Sequence, residues 1–194
     1  MVDSLVYVVD DDADLAASLV RMLHRNGYRA EPFSNPSLLI ECYAAEPAAC
    51  VITDVMMDDV DGFSFASRLR DLDPSSSIIF VTAWPRSRDA VDAIRALGGI
   101  DYLDKPIDEQ RLLASVAEGV RRSLLRAATS ARLSSLSARE LQVFELLVRG
   151  HSTKAIAAKL SISSRTVDDH RSNISMKTGT NSIAQLIEIN RTLS

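Results

Sequence analysis

The sequence predicts two domains of different class: an α/β domain on a five-stranded, parallel, doubly wound sheet, then an all-α domain of four helices. Three observations carry this. Short runs rich in β-branched residues, too short for helices, alternate with stretches of helical periodicity through the first two-thirds of the chain. From about residue 135 the pattern reads as helices joined by short turns. The charge also changes sign: residues 1–130 carry 13 Lys/Arg against 21 Asp/Glu, and residues 131–194 carry 9 against 5. An acidic front and a basic tail suit different partners.

Leu5-Val-Tyr-Val-Val9 is the first strand, and it runs into Asp10-Asp11-Asp12. Leu15, Leu19, Met22 and Leu23 recur at helical spacing, and Asn26-Gly27 closes that helix. Tyr28 to Phe33 is a weaker strand. Pro36 opens a short helix carrying Leu38, Leu39 and Tyr43. Cys50-Val-Ile-Thr-Asp54 reads as a strand buried on both faces, followed by an acidic loop to Gly62. Phe63, Phe65, Ala66 and Leu69 mark the next helix. Ile78-Ile-Phe-Val81 is a strand ending in Thr82; Ala90, Val91, Ile94 and Leu97 then mark a helix ended by Gly98-Gly99. The last strand, Ile100-Asp-Tyr-Leu-Asp, ends in Lys105-Pro106. Leu112, Leu113, Val116 and Val120 form the closing helix, with Leu124 and Leu125 extending its apolar stripe. The boundaries fall at 1–125, a linker at 126–134, and 135–194.

The strand ends carry the chemistry. In an open α/β sheet, ligands bind at the carboxyl ends of strands. Asp54 alone could be a turn-former or a helix cap. Two strand ends bearing carboxylates, however, need a hard cation or raised pKa values if they are neighbours. Thr82 adds a hydroxyl and Lys105 an ammonium. Carboxylates for a metal, a hydroxyl and a lysine make a site for a phosphoryl group on Asp54.

Asp10-Asp11, Asp54, Thr82-Ala83 and Lys105-Pro106, in that order, resemble the receiver domain of two-component response regulators. The resemblance implies a flavodoxin-like strand order, 2-1-3-4-5, and a cis Lys105-Pro106 bond as a tight-turn device. It implies Mg²⁺ held by Asp11, Asp54 and the Met56 backbone carbonyl, with Asp10 assisting. Asp54 would be the phospho-acceptor, Thr82 and Lys105 would hold phosphoryl oxygens, and Thr82 with Tyr102 would form the switch. The donor would be a phosphohistidine on a sensor histidine kinase. Asp12 reads as a helix cap, and Asp58, Asp59 and Asp61 as solvated loop acids. Two departures stand out: Asp58 where such receivers usually have proline, and Trp84-Pro85 where small residues are commoner.

In the tail, Ser137-Ala-Arg-Glu140 is a capping box, and Arg149-Gly150 ends its helix. Ser152 caps a short helix to Lys159, and Leu160-Ser-Ile-Ser163 is a tight turn. A longer, more polar helix follows from Ser164 to about Thr178, which together fits a helix-turn-helix. Asn181 is expected to cap a final helix with Ile183, Leu186, Ile187 and Ile189. Leu136-Ser-Ala-Arg-Glu140, Gly150, Lys154-Ala-Ile-Ala157, Leu160, Ile162-Ser163, Thr166-Val167, His170 and Ile174 resemble the LuxR-type (NarL/FixJ-like) DNA-binding domain.

On the second helix of the motif, Val167, His170 and Ile174 should pack inward. Arg165, Asp168, Asp169, Ser172 and Met176 are then exposed. The helix start at Ser164 and Thr166, with Lys154, Lys159, Arg165, Arg171 and Lys177, can hold phosphates. Residues 168, 169 and 172 would face base edges. Asp168-Asp169 is unusual there, since carboxylates oppose phosphates unless one accepts a hydrogen bond from cytosine. The pair implies a cytosine-dependent operator or weak binding without dimerisation.

Composition excludes little else. Hydrophobic content of 46% and charged content of 25% are ordinary for a globular protein. No apolar run approaches membrane-spanning length, and Met1-Val-Asp-Ser shows no signal peptide, so no membrane association and a cytoplasmic location are expected. Cys42 and Cys50 lack metal-ligand spacing and read as buried free thiols.

The resemblances imply a transcription factor that phosphorylates itself on Asp54, not a turnover enzyme. It would act on double-stranded promoter DNA as a phosphorylation-promoted homodimer, with RNA polymerase a candidate partner. The alternative is a DNA-binding protein controlled by a partner without phosphorylation; Asp54, Thr82 and Lys105 argue against it. A phosphohydrolase would want an acid two residues after Asp54, where Met56 stands.

Overall fold

The computed structural model describes residues 4–57, 60–83, 97 and 99–193. They divide into two compact units, Met1–Leu124 and Leu125–Ser194.

In the first unit, β1 (Leu5–Val9), β2 (Arg29–Phe33), β3 (Cys50–Asp54), β4 (Ser77–Thr82) and β5 (Gly99–Asp104) form one parallel sheet in the order β2-β1-β3-β4-β5. The second strand begins one residue later than its sequence suggests, at Arg29. Alternation splits the sheet's side chains between two cores. Val6, Val8, Cys50, Ile52, Ile79 and Val81 pack on one face against α1 (Ala13–Arg25) and α4 (Glu109–Ser134). Tyr7, Val9, Val51, Ile78 and Phe80 pack on the other against α2 (Pro36–Cys42) and α3 (Gly62–Leu72). Each large apolar side chain buried this way contributes about 1.5–3 kcal/mol, so both faces must stay covered. The helix expected around Ala90–Leu97, and Asp58, Asp59 and Trp84-Pro85, lie outside the described residues apart from Leu97.

Local chemistry sets the helix ends. Asp12 caps α1 through the Asp14 and Leu15 N–H groups, as its position suggests. Asn35 caps α2 ahead of Pro36. Asp61 has a role beyond the one expected. It is exposed, as read, but also caps α3, accepting from the N–H groups of Phe63 and Ser64. The α2 stripe runs through Pro36, Leu39 and Tyr43, which turns Leu38 and Cys42 away from it. Cys42 is therefore exposed, contrary to the sequence reading, while Cys50 is buried. Similarly, Leu112, Val116, Val120 and Ser123 form the buried stripe of α4, and Leu124 and Leu125 fall off it. The stretch 126–134, read as a linker, is helical and forms the last turns of α4.

The second unit contains α5 (Ala138–Val148), α6 (Thr153–Leu160), α7 (Ser164–Thr178) and α8 (Ile183–Leu193). Ser137 and Glu140 form the capping box, and Ser152 and Ser163 cap α6 and α7. Ser182 takes the place expected of Asn181: its hydroxyl accepts from the Gln185 N–H, while the Gln185 side chain accepts from the Asn181 N–H. Val143, Phe144, Leu147, Ile156, Val167, Ile174, Leu186 and Ile189 make the core. Three residues join α6 to α7, and Ser161 there adopts φ 53°. Among the described residues, no helix is long and apolar enough to cross a membrane.

Candidate functional site

The register builds the first site. Val9 pairs with Thr53 and Asp54 with Val81, so Asp10 and Asp54 stand level at adjacent strand ends. Backbone bonds fix these ends beyond the ladder. The Asp10 N–H donates to Phe33 O (3.1 Å), the Val55 N–H to Val81 O (2.9 Å), and the Lys105 N–H to Thr82 O (2.7 Å). The Lys105-Pro106 bond is cis, as the receiver resemblance implies.

Asp10 and Asp54 are buried and Asp11 is exposed; one carboxylate oxygen of each lies within 4.8 Å of the others. Lys105 Nζ donates to Asp54 Oδ2 at 2.6 Å and to Asp10 Oδ2 at 2.8 Å. Burial pushes the Asp10 carboxyl above its ordinary value, against the lowering effect of Lys105 and the Asp12 N–H. Burial also opposes the Lys105 charge, but its bonds to Asp10 and Asp54 outweigh that and raise its pKa. The donors are all oxygen, which suits a hard divalent cation. The Met56 N–H donates to Asp54 Oδ1 at 3.1 Å, which turns the chain after β3 back toward the carboxylate. Thr82 is fully buried at the end of β4. Tyr102 is buried in the core it shares with Phe80 and Ile78.

Gly62 went unnoticed in the sequence except as loop punctuation. Its N–H donates to Val55 O at 2.8 Å, and a Cβ there would meet Asp54 O at 2.1 Å. A glycine closing an acidic loop was the available signal.

The second site is the outer face of α7. Val167 and Ile174 are fully buried and His170 is half-buried, so His170 sits at the edge of the stripe it was expected to join. Ser164, Arg165, Asp168, Asp169 and Ser172 are exposed, with Thr166 half-buried beside its cap Ser163. Two cations expected to be free for phosphates have partners within the unit. Lys177 Nζ donates to the buried Glu140 carboxylate at 2.7 Å, and Arg171 Nη1 donates to Thr153 Oγ1 at 3.0 Å. Lys159 Nζ lies 3.2 Å from His151 Nε2. Lys154 is exposed on α6.

Residues 6–117 match the family model described as response regulator receiver domain, and residues 134–189 match that of bacterial regulatory proteins, luxR family. The chain belongs to the response regulator family. This response regulator is similar to transcriptional regulatory protein FixJ of Bradyrhizobium diazoefficiens, at 32% identity over 95% of this chain and 93% of that one. It is also similar to response regulator protein TodT of Pseudomonas putida, at 31% identity over 98% and 86%. Among solved structures it resembles full-length FixJ from B. japonicum, with TM-score 0.58 and 30% identity over 100% and 98% of the two chains. A CheY-like receiver domain protein from Methanospirillum hungatei shares the fold of 62% of the chain, with TM-score 0.58 and 22% identity. The matched receiver segment contains Asp10, Asp11, Asp54, Thr82 and Lys105, and the matched luxR segment contains α5, α6 and α7. The response regulator therefore pairs a receiver domain with a LuxR-type DNA-binding domain of the transcriptional regulators.

Proposed function

We propose that this response regulator accepts a phosphoryl group on Asp54 from a phosphohistidine of a sensor histidine kinase. The acyl phosphate promotes homodimerisation and binding to double-stranded promoter DNA. The observation that carries this reading is the convergence on Asp54 of Lys105 Nζ at 2.6 Å and the Asp10 and Asp11 carboxylates.

Asp10, Asp11, Asp54 and the Met56 carbonyl would hold Mg²⁺. When bound, the ion supplies positive charge against the oxygens of the transferring group. An Asp54 oxygen attacks phosphorus, and the P–N bond of the donor breaks. The departing ring nitrogen keeps the bonding pair and takes a proton from water. The Lys105 ammonium then holds one phosphoryl oxygen and the Thr82 hydroxyl another. Thr82 movement with rotation of Tyr102 relays the change. The chain modifies itself and releases no product of a separate substrate, so it is not a turnover enzyme. Two recognition helices then engage two half-sites, in the cytoplasm, where RNA polymerase is a candidate partner. Residues 1–125, 126–134 and 135–194 serve as receiver, connector and DNA-binding domain.

The test is acyl-phosphate labelling of the full chain with Mg²⁺ and a small phosphodonor, beside Asp54→Asn. Label in the wild type, none in the variant, and tighter promoter binding after labelling are expected. No label in the wild type, or equal promoter binding with and without it, overturns the proposal.

A further inference from the structure

We propose that Asp169 reads a cytosine in the operator, while its neighbour Asp168 serves within the protein. The inference rests on the DNA-binding reading above and names the base that the same face selects.

A helix turns about 100° per residue, so the buried Val167, Ile174 and Thr178 fix the inward direction of α7. Arg165, Asp169, Ser172 and Met176 lie opposite, and all are exposed, Met176 to 75%. Asp168 lies on the flank. Its carboxylate is 3.7 Å from Arg171 Nη1, and that guanidinium is held by Thr153 Oγ1 on α6. Asp168 thus has a counter-charge tethered to the neighbouring helix. Among the described residues, Asp169 and Arg165 have neither an ion pair nor a side-chain hydrogen bond.

A bare carboxylate at the centre of this face opposes phosphates. In the major groove it can be satisfied by an amino group, offered by cytosine N4 and adenine N6. Adenine sets the N7 acceptor beside that amine, which repels a carboxylate; cytosine does not. Arg165 stands one turn earlier on the same face, about 6 Å along the axis, or roughly two base steps of 3.4 Å. Its guanidinium suits guanine O6 and N7. The face therefore joins a guanine donor set to a cytosine acceptor.

The experiment is binding-site selection from randomised duplex DNA by the full chain treated with phosphodonor, alongside Asp169→Asn and Asp168→Asn. Both residues are exposed, and matching circular dichroism melts establish that the variants fold. The wild type is expected to enrich cytosine on the order of tenfold at one position per half-site. Asp169→Asn moves that preference to adenine, whose N6 and N7 asparagine pairs bidentately. Asp168→Asn keeps the base and shifts only overall affinity. A wild-type motif that Asp169→Asn leaves unchanged at every position overturns the cytosine assignment alone. Enrichment of no motif by the wild type overturns the DNA-binding reading and this inference together.

Discussion

Gly62→Ala tests how the Asp54 loop is built. A Cβ at Gly62 would stand 2.1 Å from Asp54 O, 2.9 Å from Val55 Cα and 3.0 Å from Asp54 C, whereas ordinary contact begins at 3.4 Å. All three neighbours are backbone, so no side chain can swing aside. The start of α3 and the end of β3 must part by about 1.3 Å in an interior packed to crystal density. That separation strains or breaks the 2.8 Å bond from the Gly62 N–H to Val55 O. Overpacking costs about 1–3 kcal/mol and a lost hydrogen bond about 1 more. The better helix propensity of alanine returns under about 1 kcal/mol at the first helical position. The net expectation is destabilisation by about 1–4 kcal/mol, within the stability of an ordinary domain. Misplacing the reacting carboxylate by about 1 Å should slow labelling about a hundredfold. Urea unfolding gives the first quantity, and the time course of phosphoryl incorporation gives the second. Gly27→Ala is the control: φ there is +83° with nothing within 4 Å, so it strains the backbone far from Asp54 and leaves labelling alone. A Gly62→Ala chain within about 0.5 kcal/mol of wild type that labels at the normal rate refutes the reasoning.

Three further outcomes are expected. A thiol reagent should modify Cys42 in the folded chain and reach Cys50 only on unfolding, since Cys50 is buried and burial pushes its thiol up to about 12; equal rates at both contradict this. The Lys177 ammonium and the Ser137 N–H hold the Glu140 carboxyl down to about 2 from 4.5, so its contribution is complete above pH 4.5 and fades as pH falls toward 2. Glu140→Gln should therefore lose less stability across that window than wild type, and parallel curves would contradict the assignment. Ser161→Gly should stabilise the second unit by about 0.5–1 kcal/mol, because Ser161 holds φ 53° where a Cβ is unfavourable; a drop in the melting temperature counts against it.

How much could be read from the sequence follows from how far each interaction reaches along the chain. A strand buried on both faces must be apolar until it leaves the sheet, so the first polar residue marks its end. Asp10, Asp54 and Thr82 were visible for that reason; Lys105, after the half-buried edge strand β5, was marked by the proline that follows it. The Ser137-Glu140 capping box was visible because it closes over three residues. The Lys177–Glu140 pair joins residues 37 apart, and nothing local marks either as a partner. The capping role of Asp61 was missed although an aspartate before an apolar run is a cap signal; the surrounding acids obscured it. In α2, seven residues give too few turns to separate the Leu39 stripe from Leu38 and Cys42. Asp168 and Asp169 look equivalent in sequence, and 100° of helical turn separates them into a partnered flank and an unpartnered face.

The charge in the Asp54 pocket explains why Lys105 must lie where it does. Three carboxylates converge, and one ammonium reaches two of them. Lys105 offsets part of the repulsion between Asp10 and Asp54, while burial, more than the Asp54 charge, holds the Asp10 carboxyl above its ordinary value. Asp11 is the water-exposed member of the cluster, and the all-oxygen donor set suits a hard divalent cation. A phosphoryl group on Asp54 adds negative charge and acceptor oxygens at that point. Among the described residues, Lys105 is bonded to the Asp54 carboxylate, and its backbone N–H is bonded to the carbonyl of Thr82. In the proposed mechanism the residue that would compensate the new charge is thus bonded through its backbone to the residue proposed to move, and charge sensing and its relay would share one pair of strand ends.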